Sequence, residues 1–158
     1  MITYPFRHIL VPTDFSSCSD AALELAAHLA HDHHATLELV HVVDVADLPL
    51  DAMIHPPSHP SGISIADHTK ALAERELADR LSRLPVPVEL RKSTTAYGSP
   101  HRAILEHAKA AAVDLIVMGT HGRTGLAHLL VGSVAEKLIR HSPIPVLTIR
   151  EHAAAPAD

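Results

Sequence analysis

Residues 113–139 read VDLIVMGTHGRTGLAHLLVGSVAEKLI, and this stretch decides the fold. It opens with an apolar run that predicts a buried strand, and it closes with a segment from residue 134 that predicts a helix. The glycines between them let backbone N–H groups approach a bound anion, and the dipole of the following helix favours negative charge there. The stretch therefore predicts an α/β fold with a nucleotide phosphate site where the strand ends.

The rest of the chain alternates strand and helix signals in the same manner. Apolar runs predict four further strands, at residues 8–11, 35–43, 86–97 and 145–149. Helical periodicity predicts three further helices, at residues 16–33, 65–84 and 100–112. The resulting βαβαβαβαβ pattern implies a doubly wound, Rossmann-like parallel sheet of five strands with helices on both faces. Right-handed crossovers favour the strand order 3-2-1-4-5, which places strands 1 and 4 on either side of one crevice.

Several of these elements carry more specific expectations. Ser16 or Ser17 is expected to cap the first helix, and Cys18 to be a small buried hydrophobe. Residues 44–63, which contain four prolines, are predicted to form a loop. In the helix at residues 65–84, four leucines are expected to face the core: Leu72, Leu77, Leu81 and Leu84. The charged residues of that helix are expected to be largely solvated, namely Glu74, Arg75, Glu76, Asp79 and Arg80.

Composition narrows the class of protein. The chain has 158 residues, of which 47% are hydrophobic and 20% charged, so residues 1–150 are expected to form one domain and residues 151–158 a disordered tail. A net charge of −5 offers no electrostatic footprint for nucleic acid, and no apolar stretch is long enough to span a membrane. A single cysteine excludes an internal disulfide and favours a cytoplasmic location.

The spacing of the glycine loop excludes two well-known phosphate motifs. Gly119, Gly122, Gly132 and Ser133 follow the pattern Gly-x2-Gly-x9-Gly-Ser, which is neither a Walker motif nor the dinucleotide Gly-x-Gly-x-x-Gly. Arg123 lies in the loop and has the charge to neutralise phosphate. Ser133 begins Ser-Val-Ala-Glu, which predicts a capping box, and its hydroxyl is equally a candidate phosphate ligand.

These motifs resemble the universal stress protein family, in its ATP-binding branch. The strongest part of the resemblance is VMGTHGRTGL at residues 117–126 followed by LVGSVAE at 130–136. The other matching segments are HILVPTDFS at 8–16, LVHV at 39–42, YGSP at 97–100 and SPIPVL at 142–147. The resemblance covers nearly the whole chain and implies a fold of the adenine nucleotide alpha hydrolase type.

The resemblance also implies ATP, with Mg²⁺, in the crevice between strands 1 and 4. Asp14 would lie near the ribose or the metal, and Val42 would present backbone groups to adenine. The full set of implied ATP-binding residues is Pro12, Thr13, Asp14, Val42, Met118, Gly119, Gly122, Arg123, Gly132, Ser133 and Val134.

Three functions fit these observations. The first is a regulatory, stress-response role in which an ATP-binding dimer reports to an unknown protein partner. The second is a slow Mg²⁺-dependent nucleotide hydrolase that uses Asp14, although no paired base and nucleophile stand out in the sequence. The third is an interaction module without nucleotide, which the intact glycine spacing argues against. No catalytic residue is assigned.

The last strand is expected to form a homodimer interface. In the order 3-2-1-4-5, residues 145–149 lie at an edge of the sheet, and Val146, Leu147 and Ile149 are apolar. An open apolar edge is a template for pairing, and two-fold pairing closes it on both subunits. The family resemblance points the same way.

Overall fold

A computed structural model describes residues 5–44, 49–90, 94–120 and 131–150 of the chain. The first half contains β1 (His8–Pro12), α1 (Ser17–His33), β2 (Thr36–Val43), β3 (Met53–Ile54), β4 (Ile63–Ser64) and α2 (Ile65–Ser82). The second half contains β5 (Glu89–Leu90), β6 (Thr94–Tyr97), α3 (Pro100–Ala110), β7 (Leu115–Gly119), α4 (Ser133–His141) and β8 (Val146–Ile149).

The main sheet is built around β1. Its strand order is β5–β2–β1–β7–β8, every pairing is parallel, and β6 pairs with β2 further along. β5 and β6 together occupy the place of the predicted third strand, and residues 91–93 between them lie outside the described residues. The predicted order 3-2-1-4-5 is therefore confirmed, with β8 at one edge.

The residues of β1 point alternately into two hydrophobic cores. Ile9 and Val11 pack with the apolar side of α1 in one core, whereas Leu10 packs with α3 and α4 in the other. All three side chains are fully buried. Burial of each contributes about 1.5–3 kcal/mol. Because both faces of the sheet are covered, its strands read in the sequence as continuous apolar runs.

The helices begin at the capping residues that the sequence indicates. Ser16 is the N-cap of α1, and its side chain accepts a hydrogen bond from the backbone of Ser19. Pro100 is the first residue of α3, where its missing N–H costs no hydrogen bond. No helix in the described part of the chain is long and apolar enough to cross a membrane.

The expectation for Leu72 in α2 is wrong. Leu72 is 51% exposed, whereas Leu77 is fully buried and Leu81 and Leu84 pack against the first core. Residues five apart on a helix lie about 140° apart around its axis, so Leu72 cannot share the face of Leu77. α2 therefore buries a narrower face than its leucine content suggested.

The predicted loop at residues 44–63 also contains regular structure. β3 and β4 form a short antiparallel hairpin in which Met53 lies opposite Ser64 and Ile54 opposite Ile63. The hairpin chain turns at Gly62, whose φ of 90° is a conformation that glycine adopts without strain. A backbone hydrogen bond from the Ile65 N–H to the Ala52 carbonyl then joins the hairpin to the start of α2.

The first turn of α1 lies directly against the end of β7. A Cβ atom at Gly119 would lie 2.7 Å from Cys18 Sγ and 3.0 Å from the backbone carbonyl carbon and oxygen of Cys18. Cys18 is 3% exposed, which confirms that it is a buried residue, and its thiol donates to the carbonyl of Ile149 over 3.4 Å. Only glycine at position 119 allows this approach.

A buried ionisable cluster joins the amino ends of β1 and β2 to α3. Glu38 is 5% exposed, and its two carboxylate oxygens lie 2.8 Å from His8 Nε2 and 2.8 Å from His107 Nε2. Burial raises the pKa of Glu38, but the hydrogen bonds and charges of His8 and His107 outweigh that effect and hold the pKa below its ordinary value. The cluster therefore stabilises the ionised carboxylate in the folded state.

We predict that Glu38→Gln lowers the free energy of unfolding at pH 7 by about 3 kcal/mol, since it leaves the buried His8 without its carboxylate. The lowered pKa means that this stabilisation is present above the unfolded-state pKa and is lost as pH falls through the folded-state pKa. Urea denaturation of both proteins between pH 7 and pH 3 should show the difference narrowing with acid. The control is Glu106→Gln on the exposed side of α3, and an E38Q protein as stable as wild type at pH 7 would contradict the prediction.

We predict that Gly119→Ala destabilises the protein by about 1–3 kcal/mol, because the new methyl group meets backbone atoms that cannot rotate away. Adding Cys18→Ala should recover only part of the loss, since it removes the sulfur contact and leaves the backbone contacts. Thermal unfolding of the single and double variants measures both effects. A Gly119→Ala protein that melts at the wild-type temperature would show that α1 and β7 are not this close.

Candidate functional site

The sheet opens a crevice between the carboxyl ends of β1 and β7. These two strands are neighbours, with Ile9 opposite Leu115 and Leu10 opposite Ile116. The chain leaves them in opposite directions, because α1 packs into the first core and α4 into the second. Where adjacent parallel strands lead to helices on opposite faces, the loops separate and leave room for a ligand.

One wall of the crevice is the segment between β1 and α1. The Thr13 N–H donates to the Val40 carbonyl (2.8 Å), which extends the pairing of β1 and β2 by one residue. Thr13 Oγ1 accepts the Phe15 N–H (3.0 Å), and Asp14 Oδ1 accepts both the Ser16 N–H (3.1 Å) and the Ser16 hydroxyl (2.6 Å). Thr13 is buried and Asp14 half-buried. The segment thus holds a carboxylate at the mouth of the crevice.

The second wall is the end of β7 together with the start of α4. The Thr120 N–H donates to the Ile149 carbonyl (2.8 Å), and the Gly132 N–H donates to the Thr120 carbonyl (2.6 Å). The chain therefore leaves the sheet at residue 120 and returns to the same place at residue 132. The structure brings Gly119, Gly132 and Ser133 together, while Gly122 and Arg123 belong to residues 121–130, which lie outside the described residues.

The predicted capping box at Ser133 is wrong. Gly132 is the N-cap of α4, Ser133 is its first residue, and no side chain among the described residues caps the helix. The Glu136 carboxylate instead contacts Arg140 (3.0 Å), one turn further along. Because the N–H groups of a helix's first turn have no acceptor within the helix, those of Ser133 and Val134 are donors at the crevice. The Ser133 side chain is exposed there.

Val42 and Met118 form parts of the crevice in different ways. Met118 is 6% exposed and belongs to the second core. β1 pairs with β2 only as far as Pro12 opposite Val40. Backbone groups of a parallel strand alternate sides, so the N–H and C=O of Val42 point the same way as those of Val40, to where β1 has ended. The expected backbone presentation by Val42 is therefore compatible with the geometry.

Sequence reasoning missed three residues beside the first wall. Phe15 has φ 66°, a left-handed conformation that costs a residue with a side chain about 1–2 kcal/mol. Its ring stacks on His41 with centroids 4.3 Å apart, and the Arg80 guanidinium lies 4.7 Å from the ring centroid. The helical periodicity of residues 65–84 does not distinguish Arg80 from the solvated charged residues around it. Only its spacing of four residues from Glu76 indicated a pairing.

The expectation that Arg80 is solvated is wrong. Its side chain is 16% exposed and contacts Asp20 through Nε (2.7 Å) and Glu76 through Nη1 (2.6 Å). Burial lowers the pKa of the guanidinium, but the hydrogen bonds and charges of Glu76 and Asp20 outweigh it and raise that pKa above its ordinary value. The helix α2 is thereby linked to the start of α1.

Comparison with known proteins places the chain among relatives of one kind. The model of the universal stress protein family matches residues 5–150. The universal stress protein YxiE of Bacillus subtilis is 32% identical over 158 residues, covering 92% of this chain and 99% of that protein.

Solved structures agree with the sequence comparison. The structure of MJ0577, a universal stress protein of Methanocaldococcus jannaschii, superposes with a TM-score of 0.78 at 27% identity, covering 94% of this chain and 99% of the other. A universal stress protein solved in complex with cAMP superposes with a TM-score of 0.59 at 23% identity, covering 92% and 97% of the two chains. Sheet order, crevice and family model agree, and the chain belongs to the universal stress protein family.

Proposed function

We propose that this protein binds ATP, with Mg²⁺, in the crevice between β1 and β7, and that the bound nucleotide serves regulation in the stress response. The observation that carries the proposal is the convergence of a carboxylate loop and an uncapped helix start on one crevice. Asp14 follows β1, the first turn of α4 is joined to the end of β7 by the Gly132–Thr120 hydrogen bond, and β1 and β7 are neighbours in the sheet. The likeness to a universal stress protein solved with cAMP supports a fold able to hold an adenine nucleotide.

The phosphates would lie at the start of α4. Backbone N–H groups of Ser133 and Val134 and the exposed Ser133 hydroxyl are donors suited to phosphate oxygens, and the helix dipole adds to their attraction. Gly132, whose N–H is bonded to the Thr120 carbonyl, would let the phosphates approach the backbone closely. Within the part of the chain that the structure describes, no side chain caps this helix, so its first turn has donors for a ligand. Gly122 and Arg123 would complete the phosphate site from the intervening segment.

The rest of the nucleotide would extend towards β2. The backbone of Val42 would bond the adenine edge, and Pro12, Thr13, Met118 and Gly119 would line the space between base and phosphates. Asp14 supplies the hard oxygen ligand that Mg²⁺ prefers, and phosphate oxygens and water would supply the others. Among the described residues no cluster of three or more His, Cys, Asp or Glu side chains could hold a metal ion. The metal is therefore proposed to arrive with the nucleotide.

A regulatory role is proposed in preference to rapid turnover. One oxygen of Asp14 already accepts two hydrogen bonds from Ser16, which commits it to holding the loop. Hydrolysis by water would need a group that orients and activates that water, and Asp14 is the candidate in the first wall. We place the protein in the cytoplasm, where a lone buried thiol such as Cys18 stays reduced.

The protein is also proposed to be a homodimer through β8. The carbonyls of Pro145 and Ile149 accept hydrogen bonds from the N–H groups of Ile116 and Thr120, so the backbone groups of these two residues face β7. Backbone groups alternate sides along a parallel strand, so those of the residues between and after them, Val146, Thr148 and Arg150, point away from β7. Their backbone groups therefore face the free edge of the sheet. Leu147 on β8 is 38% exposed and adds apolar surface at that edge.

We predict that millimolar Mg-ATP at about 100 times its dissociation constant stabilises the nucleotide-free protein by about 2.7 kcal/mol, and that Gly132→Val abolishes this effect. Gly132 has φ −71°, which valine tolerates, so the variant should fold and lose only about 1 kcal/mol of capping stability. Its side chain would occupy space that the phosphates need. Calorimetric titration and thermal unfolding measure both quantities, with Lys137→Val on the exposed side of α4 as the control. Wild-type affinity in Gly132→Val would remove the phosphate assignment.

We predict a dimer of about twice the 17.0 kDa chain mass in light scattering, and a shift to monomer in Thr148→Pro. Thr148 directs its N–H to the free edge, so proline there removes a bond between subunits and leaves the β7 ladder intact. Leu147→Pro is the contrasting variant, because it deletes a bond to β7 and should lower the melting temperature instead. A wild-type monomer at micromolar concentration would refute the dimer.

A further inference from the structure

Arg80 contacts the segment that carries Asp14 and also the first turn of α1 that follows it. Its Nη2 donates to the carbonyl of Phe15 over 3.1 Å, and its guanidinium lies over the Phe15 ring, 4.7 Å from the centroid. Its Nε donates to Asp20 in the first turn of α1 over 2.7 Å. The third partner, Glu76, lies on α2 itself and accepts a hydrogen bond from Nη1. One side chain from α2 thus contacts both the backbone and the ring of a single residue of the first wall.

Phe15 is the residue at which this contact has an effect on geometry. Its left-handed backbone is a conformation that residues with a side chain adopt only when the surroundings impose it. Here the ring is stacked on His41 of β2, and the carbonyl is held by Arg80. His41 in turn donates from Nδ1 to the Thr13 carbonyl over 2.8 Å. Both neighbours of Asp14 along the chain are therefore held by side chains from β2 and α2.

Asp14 itself is oriented by the same turn. The carboxylate accepts the Ser16 N–H and hydroxyl, and those donors are in place only while Phe15 keeps its left-handed φ. If Phe15 relaxed to an extended or right-handed helical conformation, the chain after Asp14 would take another direction. The carboxylate would then lose both hydrogen bonds and its fixed place at the crevice.

We propose that Arg80 is a positioning residue for the nucleotide site: it holds Phe15 in its left-handed conformation and so keeps the Asp14 carboxylate oriented for the ligand. The proposal rests on the function proposed above for the ligand. It makes α2 part of the binding apparatus, although α2 does not border the crevice between β1 and β7. Any partner that moves α2 would change nucleotide affinity, and nucleotide binding would in turn restrain α2.

The first test needs no ligand. Amide exchange of Phe15 and Ser16, whose N–H groups are bonded to Thr13 Oγ1 and Asp14 Oδ1, is measured by NMR in wild type and in two arginine variants. Arg80→Gln should speed exchange at both amides about tenfold. Arg83→Gln is the matched control, because the Arg83 side chain is 75% exposed and its ion pair in the described part of the chain is with Asp79, on the same helix. Unchanged exchange in Arg80→Gln overturns the proposal.

A conservative variant keeps the proposal testable if Arg80→Gln does not fold. Arg80→Lys keeps the charge beside Asp20 and Glu76 but lacks the planar fork that also reaches the Phe15 carbonyl. It should fold and still show faster exchange at Phe15 and Ser16. Wild-type exchange in a folded Arg80→Lys protein overturns the proposal.

The second test uses Mg-ATP in calorimetric titrations as a double-variant cycle. Arg80→Gln should weaken binding about tenfold in the wild-type background and have no further effect in an Asp14→Asn background. Arg83→Gln should leave affinity unchanged. The proposed action through Asp14 is overturned if Arg80→Gln speeds amide exchange but leaves the affinity for Mg-ATP unchanged. It is also overturned if Arg80→Gln weakens binding equally in the Asp14→Asn background. If wild type binds no nucleotide, the proposed function fails, and the exchange experiment still decides whether Arg80 holds the turn.

Discussion

The contact between Gly119 and the first turn of α1 is the constraint on which the rest of the structure depends. With glycine at the end of β7, the backbone of Cys18 comes within 3.0 Å of where a Cβ atom would stand. That approach seats α1 over the sheet and brings its N-cap, Ser16, to the carboxyl end of β7. The segment bearing Asp14 is then beside the place where residues 120 and 132 meet. A larger residue at 119 would separate the two walls of the crevice before any ligand was involved.

Two clusters of charged side chains lie at opposite ends of the sheet and connect different elements. At the amino end of the sheet, Glu38 lies buried between His8 and His107 and ties α3 to β1 and β2. At the carboxyl end, Arg80 lies between Asp20 and Glu76 and ties α2 to the turn at Phe15. The Glu38 cluster is buried, so desolvation offsets much of its attraction, whereas Asp20 and Glu76 are about half exposed, so solvent weakens their attraction to Arg80. Both clusters therefore specify geometry more than they stabilise the fold.

The sequence was sufficient for the architecture and for part of the site. Strand order follows from alternating signals and crossover handedness, and Ser16 and Pro100 mark helix starts through local chemistry alone. Local sequence signals gave the wrong cap residue for α4, because the hydrogen bond between Gly132 and Thr120 places Gly132, and not Ser133, at the cap position. They gave the wrong burial for Leu72, because the face that a helix buries depends on the elements packed against it. The roles of Arg80 and Glu38 depend on contacts with residues 30 or more positions away in the sequence, which no local pattern records.

The central claim is that the crevice between β1 and β7 holds an adenine nucleotide. Native mass spectrometry of the protein, purified without denaturation and then incubated with Mg-ATP, tests it most directly. The account predicts a mass excess of one adenine nucleotide per chain, present in the native protein or acquired on incubation, and lost in Gly132→Val. A wild-type protein that stays nucleotide-free after incubation with millimolar Mg-ATP would contradict it.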